Sequence, residues 1–114
     1  MLRPRLHVVA LAALLLATTA CGDSRLKDLS IGMGRDSLNL VMQTDQPHRT
    51  ESYFLEGKLW EVHYYSRKAA GQEDTIPWRK LSPVILADGK VAGWGWDYWD
   101  REAEKLNVPV PGKE

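Results

Sequence analysis

Few residues in this chain are of a type and spacing that could carry chemistry. Cys21 is the only cysteine in 114 residues, so its thiol can form no intramolecular disulfide. With only His48 and His63 outside the first twenty residues, a Cys/His zinc site is not expected, and no other metal or cofactor site is read. His63 lies two residues after Glu61. On a strand, that spacing would put an imidazole and a carboxylate on one face, the minimum for a small hydrolase. No Gly-x-Ser-x-Gly elbow and no glycine-rich phosphate loop accompanies them, so both histidines read as polar surface residues and an enzyme is not expected. The densest chemistry is aromatic. In Gly93-Trp94-Gly95-Trp96-Asp97-Tyr98-Trp99, alternation would line up Trp94, Trp96 and Tyr98, with Trp99 beside them. Such a face suits a protein hot spot or a sugar ring.

The charge balance narrows the partners. There are 15 Lys+Arg against 15 Asp+Glu, but Arg3 and Arg5 lie in a start that holds no acid, leaving the rest at a net of −2. That argues against a nucleic-acid partner, which selects a basic excess. Residues 1–20 follow the layout of an export signal: basic Arg3, Arg5 and His7, an uncharged apolar run from Val8 to Ala17, then small Thr18-Thr19-Ala20. Ten apolar residues are too few for a bilayer span, which takes about 20.

Ala20-Cys21-Gly22 at the end of this signal resembles the lipobox of bacterial lipoproteins, although Thr18 stands where that motif usually has Leu. The resemblance implies cleavage before Cys21 and acylation of its sulfur. Each buried CH₂ is worth about 0.8 kcal/mol, so two or three acyl chains would hold a small domain at a membrane. Gly22, rather than Asp, after the cysteine implies an outer-membrane anchor facing the periplasm, with the inner membrane as the alternative.

Residues 21–28 then read as the lipidated cysteine and a tether, residues 29–106 as one domain, and residues 107–114 as a fraying tail. Leu38, Val41 and Met42 recur at helical spacing behind a Gly34 cap, with Met33 and Leu38 placed as a staple, and Pro47 ends the segment. Glu56-Gly57 and Asp88-Gly89 each join two apolar runs as hairpin turns. The first turn pairs Leu55 with Lys58, Tyr53 with Trp60 and Thr50 with His63. The second is expected to put Val84, Leu86 and Val91 on one face and Ile85 and Ala92 on the other, its last strand running to Trp99. Residues 67–77 form the long loop between the hairpins. The expected class is α+β: a short N-terminal helix packed on a four-stranded antiparallel meander, in two layers.

Two arrangements of the aromatic run remain open. Either the helix covers the Val84 side and the Trp94-Trp96-Tyr98 ladder faces outward, or the ladder is the core beneath the helix; some of the rings can also divide between core and rim.

Leu29-Ser30-Ile31-Gly32-Met33, the helix, its exit at Pro47, the aromatic strand from Trp60 to Tyr65 and the hairpin Asp88 to Gly95 together resemble small lipoproteins of the SmpA/OmlA (BamE-like) superfamily. Gly34 and Asp45 depart from that pattern. The resemblance implies a non-enzymatic, periplasm-facing accessory of envelope assembly with a protein partner. Trp94, Trp96, Tyr98 and Trp99 are the expected contact surface, and a carbohydrate or peptidoglycan binder is the alternative use of that face.

Overall fold

Both two-residue turns form as their sequences require. Glu56 and Gly57, and again Asp88 and Gly89, all have positive φ, between 51° and 82°. That double left-handed pattern matches the twist of flanking strands, and a glycine at the second position accepts it without strain. The computed structural model describes residues 23–67 and 76–112. The strands β1 (Arg49–Leu55), β2 (Lys58–Tyr65), β3 (Ser82–Ala87) and β4 (Lys90–Trp94) lie in sequence order in one antiparallel sheet. The protein is therefore α+β, built on a four-stranded meander. The β1–β2 register is the expected one, with Tyr53 opposite Trp60 and Thr50 opposite His63.

The β3–β4 register is not. Leu86 pairs with Val91, but Ile85 then pairs with Gly93 and Val84 with Trp94, so Ala92 is an extra residue on β4. A bulge of this kind reverses the facing of everything beyond it. Trp94 therefore joins Val84, Leu86 and Val91 instead of lying on the Ile85 side.

Helix α1 (Arg35–Met42) starts at Gly34 and stops where Gln43 turns left-handed. Leu38 and Met42, one turn apart, are fully buried against Leu29, Tyr65, Val84, Leu86 and Val91. Just before α1, Gly32 N–H donates to Val91 O and Val91 N–H donates to Met33 O. These bonds occupy the outer edge of β4.

Where alternation predicts a strand through Trp99, the chain instead forms helix α2 (Trp96–Leu106), entered through Gly95 at φ 92°. Trp96, Trp99, Ala103 and Leu106 form its apolar stripe, and it packs on Trp60, Val62, Tyr64 and Ile85 on the sheet face opposite α1. The sheet is thus covered by a helix on each side, and the C-terminal helix adds a third layer to the expected two. Residues 107–112 do not fray: Val108 is buried, its N–H donates to Ala103 O, and Val110 packs on the same cluster. Residues 23–28 are not a free tether either, because Ser24–Asp28 form a 3-10 turn docked on the domain. Residues 1–22, which hold the expected export signal and the expected lipidation site Cys21, lie outside the described residues, as do residues 68–75 and 113–114. Among the described residues no helix is long and apolar enough to cross a membrane.

Candidate functional site

The four aromatic residues singled out by sequence are not brought together as one surface. Trp99 is fully buried between α2 and the sheet. Its place in the helix, three residues after Trp96, turns it inward where a strand would have left it on a side. Trp94 packs on the α1 side of the sheet, Trp96 and Tyr98 on the α2 side, and all three are half-buried. Tyr98 lies over Gly93, where an added Cβ would come within 2.6 Å of its ring. Gly93 thus supplies the close approach that a side chain would deny.

A different aromatic set is assembled. Tyr64 stacks on Trp96 at 5.7 Å between centroids and receives Trp78 edge-on at 5.0 Å. Arg79 covers Trp96 at 4.2 Å and Arg49 covers Trp78 at 4.7 Å. Arg79 also makes two 3.1 Å hydrogen bonds to Asp100, and Trp96 Nε1 donates to Leu81 O. The Tyr64 hydroxyl donates to Glu51 at 2.9 Å; burial first, and then the Glu51 charge, push its pKa far up. The ring faces of Trp78 and Trp96 are therefore engaged within the protein. Trp78 has no aromatic partner at helical or alternating spacing in the sequence, which is why a search for an aromatic face by spacing does not find it.

His63 and Glu61 do share a face, the one toward α1, and His63 is largely buried there instead of lying on the surface. Its Nε2 is 3.9 Å from Glu61 Oε1 and its Nδ1 is 3.4 Å from the Tyr65 hydroxyl. Glu61 is also ion-paired to Arg35 at the start of α1. Burial lowers the His63 pKa; the Glu61 charge opposes this and the Arg35 charge adds to it. Burial likewise pushes Tyr65 up to about 12. The arrangement is a polar latch between α1 and β2: a neutral imidazole beside a carboxylate already satisfied by a guanidinium. Among the described residues no three His, Cys, Asp or Glu side chains gather as a metal ion would require.

The large apolar side chains left in water lie elsewhere. Phe54 is 73% exposed and faces Leu59 across the β1–β2 hairpin; Ile31 is 67% exposed before α1, and Leu40 stands out from α1. Alternation along the hairpin places Phe54 and Leu59 together, but which face stays uncovered depends on where the helices land. The two hairpin tips are tied by Leu59 N–H to Asp88 Oδ1 and Asp88 N–H to Leu59 O, so this end of the sheet is held in place.

At the opposite end, Asp23 and Arg25 close a staple. The Asp23 carboxylate accepts from Arg25 N, Nε and Nη2 and from Ser82 Oγ. Arg25 also donates to Met42 O at 2.7 Å and Ser66 O at 2.8 Å. Burial alone would raise the Asp23 pKa, but these bonds and the Arg25 charge hold it below the ordinary carboxylate value.

Helix, sheet and helix define an α+β domain with one end stapled and the other apolar. Comparison with known families, characterised proteins and solved structures finds no match to this chain.

Proposed function

We propose that the chain is a non-enzymatic lipoprotein, anchored through Cys21 in the outer membrane and facing the periplasm, that acts by contact as a binding or envelope-assembly accessory module. The export-signal layout, the lipobox-like Ala20-Cys21-Gly22 and the resemblance to BamE-like lipoproteins support the address. The observation that carries the contact reading is the exposed Phe54–Leu59 pair on a tied hairpin tip, an apolar feature that no other described residue covers. It replaces the aromatic run as the favoured surface. A sugar platform needs open ring faces, but Trp96 carries Tyr64 and Arg79 against its ring and Trp78 carries Arg49 over one of its faces.

Labelled palmitate tests the address: label is expected in the membrane-bound chain and absent from Cys21→Ala. An unlabelled, freely soluble wild-type chain would overturn it. A photo-crosslinker at Phe54 tests the contact reading in cells. A discrete protein adduct that disappears in Leu59→Asp is expected, whereas an identical crosslinking pattern with and without Leu59 rejects this surface.

A further inference from the structure

On the reading that Cys21 carries the lipid, the distance from that lipid to the folded domain follows from chain geometry. A flexible tether over residues 22–28 would have an end-to-end distance of about 15 Å. The staple removes it. The Asp23 side chain is only 5% exposed and accepts hydrogen bonds from Arg25 and Ser82, while Arg25 reaches the end of α1 at Met42 and the end of β2 at Ser66. The chain is fixed to three elements from Asp23 onward. Two peptide units separate Cys21 from Asp23, a span of at most about 7.6 Å. One polar headgroup layer is about 5–8 Å thick. The free chain is thus no longer than the layer it has to cross.

We infer that the end of the sheet formed by Asp23, Ser66 and Ser82 is a membrane-contact surface, seated directly on the lipid headgroups. The exposed side chains bordering it include Lys27, Arg67 and Lys80, with Asp28 and Asp45 among them. The inferred seating rests on the short covalent link and not on headgroup charge. The hairpin tips at Glu56-Gly57 and Asp88-Gly89 lie at the other end of the strands. At about 3.3 Å per residue, the length of β3 alone carries them roughly 20 Å farther along the sheet. Phe54 and Leu59 are thereby presented away from the bilayer, and the staple sets the direction in which the domain stands.

The test uses the acylated full chain purified from membranes and reconstituted in phosphatidylcholine vesicles containing headgroup-nitroxide lipid. Lys80→Cys and Lys58→Cys, at opposite ends of the sheet, each carry a bimane label on the new thiol. Quenching is expected to be severalfold stronger at position 80 than at 58. Eight Gly/Ser residues inserted between Gly22 and Asp23 leave the staple intact and should bring the two values together; Asp23→Ala should do so by freeing the tether. Equal quenching at both positions in the acylated chain without the insert overturns the inference and leaves lipidation standing. A retained difference with the insert also overturns it, since orientation would then owe nothing to the short link. A chain that takes up no palmitate overturns lipidation and this inference with it.

Discussion

The two faces of the sheet are sealed by different means. On the α2 side the cover is aromatic and extends across all four strands, reaching Tyr53 and Leu55 on the edge strand β1. On the α1 side the core is mainly aliphatic, and the short helix lies toward β4, leaving Thr50, Ser52 and Phe54 of β1 in water. β1 shows the contrast residue by residue, with half-buried and exposed positions alternating along its whole length. An eight-residue helix cannot span a twisted four-stranded sheet, and the turn Ser24–Asp28 packs beside it without reaching β1, so among the described residues nothing covers that strip. The open strip is the uncovered remainder of a face whose other half is firmly packed. A partner that extends α1's coverage over β1 would bury Phe54 and Leu59 in the manner of the α2 side.

If the aromatic face carries the larger share of stability, Trp99→Ala should be the most damaging single change. It empties a fully buried site, with an expected loss of about 3–5 kcal/mol by urea unfolding followed by circular dichroism. A loss below about 1 kcal/mol would show that α2 merely rests on the sheet. Leu38→Ala asks the same of the other face. A smaller side chain under a helix that covers only part of its face should cost about 2–4 kcal/mol. Should Leu38→Ala prove the worse of the two, the ranking of the faces is inverted.

The α1 face was also the more legible one. Leu38, Val41 and Met42 repeat at a spacing only a helix uses, Gly34 and Pro47 bound them, and the Glu56-Gly57 turn sets the register that pairs Tyr53 with Trp60. The α2 face was hidden by competing periodicities. Trp94, Trp96 and Tyr98 alternate like a strand, yet Trp96, Trp99, Ala103 and Leu106 also recur as a helical stripe. Local spacing does not choose between them. The choice is made by Gly95, whose φ of 92° breaks the strand, and by a bulge at Ala92 that no turn rule anticipates. The exposed pair was half-legible: the hairpin puts Phe54 beside Leu59, but their exposure reflects the width of α1's cover. Burial of His63 was missed for a similar reason, since α1 brings Arg35 and Glu61 together over β2 only in three dimensions.

The bulge sharpens the contrast further, because it delivers Gly93 to the α2 face beneath Tyr98. Gly93→Ala forces the ring to move and should cost about 1–2 kcal/mol. With the ring already removed, in Tyr98→Ala, the same substitution should cost little, so the pair is expected to be strongly non-additive. Additive losses would mean that Gly93 serves the bulge's backbone and not the ring.

The smallest effect tests the polar latch on the α1 face. His63 has a folded pKa below its ordinary 6.5, mainly through burial, so the unfolded chain binds more protons in the interval between the two values. Stability should therefore rise with pH through that interval and be lost as pH falls from 6.5 toward the folded value. His63→Gln should flatten this slope, read as unfolding midpoints across pH 5–8. The neighbours act in opposite senses. Glu61→Gln removes the charge that favours imidazolium, so the His63 titration followed by NMR should move to lower pH. Arg35→Met removes a charge that disfavours it, and the titration should move up. Shifts in the reverse directions would mean that His63 answers to groups other than Glu61 and Arg35.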